Sequence, residues 1–523
     1  MGKRIQLILV FLHYQMVFSS SPTNASHLCL SDQSQFLLQF KKSIDIDNTA
    51  SSGYDSNADI FELPNLVRLD LSSCNFWGPI PESLGNLTKM NYLMLNFNNL
   101  TGQVPSGLGN LEQLIFLDFS YNSLEGQMPQ YLPSLIFLDL ESNQLTGQLY
   151  DFQYQSIQRI YLSGNKLDGR VPKSVSKLVN LALLDLSSNN FGGVVQASMF
   201  SNCNQLQTFD LSNNNILLIT DGVNSTLPQS VAFLFLSSRG IKDLDFLVPA
   251  NNLYKLDLSE KLLHGDIFSD KKWYNWSQRL FCLNLSYNSL IDLSQLPFPN
   301  LVYLDLSSCL LQGPVVISPA SIQVFMIPDN NLTGEIPSSI CKSSSLAILD
   351  LLNNNLIGGI PLCLGNMSMD LSVLDTHKNH FGNIPATFPV GNKLSALNLR
   401  DNQLEGALPN SLSNCRELKV LDLGNNNFRW LGTLPKLQVL SLRSNNLQGN
   451  LRVQKLTATG SLELDQEDNE EFFSGFTWKA VLIGYGCGMV IGIIIACFIF
   501  LTGKPKWFNK IVQEAASKLV RKK

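Results

Sequence analysis

Residues that carry catalytic chemistry are scarce in this chain. Only five histidines occur in 523 residues, at positions 13, 27, 264, 377 and 380. They are dispersed, and the nearest pair, His377 and His380, flanks Asn379 as surface residues rather than as metal ligands. The ten cysteines include no C-x-x-C pair and no Cys/His cluster at metal-ligand spacing, which excludes zinc and dithiol sites. There is no G-x-S-x-G elbow, P-loop, kinase glycine loop or H-E-x-x-H. Charged residues make up 15%, low for a compact enzyme, and a net charge of −5 offers nothing to a nucleic acid. No enzyme, no metal and no cofactor is expected.

Two apolar runs are present. Lys3 and Arg4 precede the mostly apolar Ile5–Phe18, and Ser19, Ser20 and Ser21 supply small residues, so residues 1–21 read as a secretory signal. Ala480–Leu501 has no charged side chain over 22 residues, with Trp478 and Trp507 where interfacial aromatics belong. Acidic residues from Glu463 to Glu471 precede it, and lysines and one arginine from Lys504 to Lys523 follow. Positive charge stays inside, which predicts a single-pass type I plasma-membrane protein. Residues 451–479 are then an acidic extracellular juxtamembrane segment, 480–501 the transmembrane helix and 502–523 a basic cytosolic tail. Ala480, Gly484, Gly488, Gly492 and Ala496 fall at every fourth residue, a row that lets a second helix approach closely.

Between these runs the chain repeats itself. The unit L-x-x-L-x-x-L-x-L-x-x-N-x-L-x-G-x-I-P recurs about 17 times over residues 63–450, its Asn position stepping by about 23 residues. Each L-x-L makes a short strand, and stacked strands form a parallel sheet on a concave face, because no single repeat can bury its own leucines. Thirteen Asn positions are filled by Asn, at 98, 122, 143, 165, 189, 214, 288, 330, 354, 379, 402, 426 and 445. A buried amide there can both donate to and accept from the backbone of adjacent turns. Cys74 and Cys309 replace two of them, and Arg239 and Lys261 replace two more, where irregularity is expected. The Pro of the G-x-I-P segments lacks an N–H and suits a sheet edge. The Asp of the L-D-L-S strands (118, 139, 185, 210, 305) belongs to the repeat and is no catalytic row.

The L-x-G-x-I-P extension resembles the plant-specific leucine-rich repeat, which implies an α/β solenoid with a second short sheet. Cys29–Ile44 resembles the start of the N-terminal cap of plant repeat receptors, so residues 22–62 form a partial cap. Cys341 and Cys363, one repeat apart outside the cell, are placed either for a disulfide between turns or as two buried thiols. Sequons occur at Asn24, Asn86, Asn99, Asn224, Asn275, Asn284, Asn331 and Asn366, as in a glycosylated ectodomain. Asn284 alternates with Leu283 and Leu285 and so points onto the concave face.

Phe473-Ser-Gly-Phe-Thr-Trp-Lys-Ala-Val-Leu-Ile-Gly-Tyr-Gly-Cys-Gly488, with Thr502-Gly-Lys-Pro-Lys-Trp507, resembles the Cf-type and Verticillium-resistance branch of plant receptor-like proteins, which lack a kinase. That resemblance implies perception of pathogen-derived proteins or peptides, an adaptor receptor-like kinase bound through the membrane helix, and a co-receptor kinase joining with ligand. After Gly449 the island loop, further repeats and C-terminal cap of that family are missing, which implies a truncated relative and leaves co-receptor docking uncertain. A developmental peptide-receptor subunit and a non-signalling decoy remain alternatives. Concave residues that depart from the repeat, and so are candidate ligand contacts, are Met94, Tyr161, Phe235, Met326, Arg400 and Arg443.

Overall fold

The computed structural model describes residues 65–445, apart from 130, 154, 220–225, 237–243, 261–262, 266–276, 293–295, 297, 317–318, 367–369 and 431–438. Contacts divide the chain into residues 1–455 and 456–523, and the described residues all belong to the first unit. The signal, the partial cap, the juxtamembrane segment, the membrane helix with its small-residue row, and the tail lie outside the described residues.

Leucines at repeat spacing form one continuous core. In a single turn Leu93, Leu95, Leu100, Leu108, Leu111 and Leu114 are all at most 1% exposed. Burying such a side chain contributes roughly 1.5–3 kcal/mol, and each turn depends on its neighbours to do so. The strands number seventeen in one parallel sheet, from Arg68–Asp70 to Val439–Ser441. Each pairs in register with the next in sequence, as Leu69 with Leu93 and Leu93 with Leu117. The sheet is unbroken from Phe233–Phe235 to Lys255–Asp257, either side of Arg239 and close to Lys261. Those two residues themselves lie outside the described set.

The asparagines hold adjacent turns together. Asn122 Nδ2 donates to the Leu95 carbonyl at 2.9 Å, one turn back, and its Oδ1 accepts the Leu100 N–H at 3.0 Å. Each of the thirteen makes the same donation to the preceding turn, through to Asn445 and the Leu423 carbonyl at 2.7 Å. At Cys309 the thiol takes over, donating to the Leu285 carbonyl at 3.3 Å.

A second set of strands runs beside the first, in groups of five, two, two, four and two among the described residues. Gly102, with φ +74°, sits inside one of them, Asn99–Gln103, in a region where a side chain would be strained. The prolines that close the G-x-I-P segments lie just past these strands, although Pro79 and Pro314 do sit in edge strands. Pro81, Pro105, Pro172, Pro337 and Pro409 directly precede 3-10 turns such as Ser106–Asn110, where a missing N–H leaves no hydrogen bond unmade. Cys341 and Cys363 are joined across adjacent turns, with Cα atoms 5.7 Å apart.

Candidate ligand-binding face

Alternation along each strand sends the leucines inward and leaves three positions per turn on the concave side. For one strand these are Phe116, Asp118 and Ser120, with Leu117 and Phe119 in the core at 0% exposure. The strands are in register, so each position becomes a row along the solenoid.

The middle row is mostly aspartate, and the structure gives it a backbone task. Oδ1 of Asp118 accepts the Ser120 N–H at 3.0 Å, and the same bond recurs from Asp185 to Ser187 at 2.9 Å and from Asp305 to Ser307 at 2.9 Å. The carboxylate thereby caps the chain as it leaves the sheet. Burial, with help from adjacent carboxylates, pushes Asp118, Asp139, Asp210, Asp305 and Asp350 up. Burial, followed by Asp118, brings Asp139 to about 8, and burial, followed by Asp185, brings Asp210 to about 7. Asp305 and Asp350 are raised chiefly by burial.

The candidate contacts separate by exposure. Arg400 and Arg443 are exposed, and the Arg400 guanidinium lies 3.2 Å from Asp401. Tyr161, Phe235 and Met326 are half-buried. The Tyr161 ring lies 5.6 Å from Phe137, the Lys255 ammonium sits 4.9 Å above Phe235, and the Tyr303 hydroxyl reaches the Met326 sulfur at 3.9 Å. Met94 is a correction. It occupies the middle row between the Asp70 and Asp118 positions but is only 4% exposed, too little surface for an anchor.

Known proteins bear on this geometry in three ways. A family model described as "Leucine Rich Repeat" matches residues 65–87, 89–111, 156–178 and 393–415. Receptor-like protein 7 of Arabidopsis thaliana is 36% identical over 220 residues, 40% of this chain and 22% of that protein. Receptor like protein 28 of the same plant is 37% identical over 303 residues, 56% of this chain and 38% of that protein. The chain carries leucine-rich repeats and is similar to plant receptor-like proteins. It spans less than two fifths of the length of these two relatives. The ectodomain of the Arabidopsis receptor kinase HAESA, solved with the peptide hormone IDA and the co-receptor SERK1, superposes with TM-score 0.58 at 28% identity. That match covers 80% of this chain and 68% of the solved chain. The plant peptide hormone receptor RGFR1, solved with RGF2, gives TM-score 0.58 at 25% identity over 73% of this chain and 67% of that one.

The sequons fall in different settings. Asn86, Asn99 and Asn331 are exposed, the latter two in second-sheet strands. Asn366 ends the short helix Leu362–Asn366. Asn284 does face the concave side, but its Nδ2, the atom a glycan would occupy, donates to Asp257 Oδ2 at 2.9 Å. Asn24, Asn224 and Asn275 lie outside the described residues. His377 Nδ1 lies 2.7 Å from Asp375 Oδ1, on the same face.

The first row was missed by a sequence reading that tabulated mainly the middle one. It begins Arg68, Tyr92, Phe116, Phe137, with Tyr92 and Phe116 rings 6.1 Å apart and Phe116 and Phe137 stacked at 4.1 Å. The signal was there: the first strand position is aromatic in three successive turns, at Tyr92, Phe116 and Phe137.

Proposed function

We propose that this protein is a cell-surface receptor that binds a pathogen-derived protein or peptide on its concave sheet and signals defence through an associated receptor kinase. The observation that supports it best is the unbroken seventeen-stranded face, which carries aromatic and arginine side chains where the repeat itself needs none. Residues 480–501 anchor the protein, and their row from Ala480 to Ala496 packs against the adaptor kinase helix. The protein does no chemistry of its own: recognition happens outside, and phosphorylation belongs to the partner. A co-receptor kinase joins when ligand is bound.

The peptide-hormone complexes of HAESA and RGFR1 favour a second reading, a receptor subunit for an endogenous peptide. Purification of the tagged full chain from plant membranes, with and without pathogen extract, separates the two. The defence reading predicts a ligand and a kinase that appear only after challenge. The same partners recovered from unchallenged tissue support the endogenous-peptide reading instead.

A further inference from the structure

Features that the solenoid does not need gather in residues 92–141. Six of the eight exposed aromatic side chains among the described residues (Trp77, Tyr92, Phe97, Tyr121, Tyr131, Tyr150) lie between 77 and 150, so aromatic exposure belongs to one end of the array. Phe97 and Tyr121 are the most telling. They take φ 55° and 54° at the turn position that Ser73, Ser142 and Ser188 occupy elsewhere, a left-handed conformation that bulky side chains rarely adopt. Their rings stack at 4.4 Å and remain 53% and 42% exposed, so the core gains nothing from them. The left-handed turn is common to the repeat, and what these two turns add is exposed, stacked aromatic surface.

A second aromatic file, Tyr92–Phe116–Phe137, runs along the first row of the sheet. Asp118 and Asp139 follow two residues after Phe116 and Phe137, and Glu141 lies two residues beyond the end of the strand Phe137–Asp139. The Tyr121 hydroxyl donates to Glu141 Oε1 at 2.9 Å, which ties the outer aromatic pair to this acidic strip. Glu141 stands where Ser120, Ser187, Ser212 and Ser307 stand in other turns. The cap at Asp139 uses only the backbone N–H of residue 141, at 3.0 Å, so the extra carboxylate is not required by the fold. No lysine or arginine is ion-paired with these three acids among the described residues.

We propose that this strip is the docking site for a cationic segment of the ligand, its lysine or arginine head groups seated among the exposed rings of Tyr92, Phe97 and Tyr121 against Glu141. The proposal rests on the reading that the concave face binds a protein or peptide, and adds the chemistry of what it takes there. A cation against an aromatic face beside a carboxylate draws on ring and charge together. The same face already uses that geometry internally, with the Arg68 guanidinium 5.9 Å from the Tyr92 ring centre.

The test uses the full chain in lipid nanodiscs and two fluorescein-labelled peptides, one alternating lysine and tyrosine, the other glutamate and tyrosine. The lysine peptide is expected to bind at least about tenfold tighter. E141S and Y121S restore the residue that other turns carry, and so keep the fold. Each is expected to weaken the lysine peptide about tenfold with an unchanged melting temperature. Equal binding of the two peptides, or full affinity in the E141S/Y121S double variant, overturns the proposal. Selective lysine-peptide binding without any challenge-dependent partner in plant membranes supports the strip and overturns the defence reading alone.

Discussion

Asp139 lies directly across the sheet from Asp118 on the neighbouring strand, and each is only 5% exposed. Two facing carboxylates in a dry setting cannot both ionise without cost, so the folded protein holds protons that the unfolded chain releases. Asp139 titrates near 8 and Asp210 near 7 in the fold, with burial the leading cause in both, against a reference of 3.8. Raised carboxylates stabilise the fold fully below about pH 4, and that stabilisation is lost as pH climbs through 7 to 8. Thermal unfolding should therefore show a higher midpoint at pH 5 than at pH 8, and D139N should flatten that slope. A midpoint that rises toward pH 8 contradicts the arrangement.

The asparagine ladder makes a sharper claim. Asn354 donates to the Ile327 carbonyl at 3.0 Å and accepts the Leu332 N–H at 3.0 Å, both in the preceding turn. N354L leaves those backbone groups buried and unpaired, at a cost of about 1–3 kcal/mol each. Hydrogen exchange should show the Leu332 amide losing protection first. Unchanged protection there would remove the ladder's energetic role.

Two glycines let adjacent 3-10 turns touch. A Cβ on Gly85 would meet the Gly107 carbonyl oxygen at 2.4 Å, which backbone cannot relieve locally. G85A should destabilise the array by about 1–3 kcal/mol through forced separation of the turns Glu82–Asn86 and Ser106–Asn110. At Gly109 the nearest atom would be 3.8 Å away, so G109A should be nearly silent. Denaturant midpoints of the two variants decide the matter.

One core hydroxyl is a liability. Thr376 is 0% exposed at a position where Leu351 and Leu399 stand in flanking turns, and its Oγ1 has no hydrogen-bond partner among the described residues. T376V keeps the shape and removes the unpaired hydroxyl, and should stabilise by about 1 kcal/mol. A lower melting temperature would mean that the hydroxyl is satisfied after all.

The proposed anchor yields its own prediction. Replacing Gly484, Gly488 and Gly492 by Leu should abolish co-precipitation of the adaptor kinase while surface delivery stays normal, because leucines prevent close helix approach. Unaltered co-precipitation discards helix packing as the basis of that partnership.

Much of the fold was legible because one repeat, written many times, states its own period. Leu93 and Leu117 are core for the same reason, and Asn98 and Asn122 meet the backbone in the same way. The role of proline was misjudged, since sequence gives its missing N–H but not whether Pro105 closes a strand or opens the turn after it. The face was harder to read. Met94 departs from the Asp that fills its row elsewhere, yet departure from a repeat says nothing about exposure, and Met94 is buried. The stacked Phe97 and Tyr121 escaped notice because side-chain stacking between turns depends on register, which only the assembled solenoid fixes.

The central claim is that the concave sheet is the recognition surface, and site-directed photocrosslinking tests it most directly. A benzoylphenylalanine at position 92, 161 or 235, compared with one at position 131, would be irradiated in leaf cells before and after challenge with pathogen extract. The account predicts a new covalent adduct from the three concave positions, appearing only after challenge, and none from position 131. Adducts of equal yield from position 131, or none from any concave position, would contradict it.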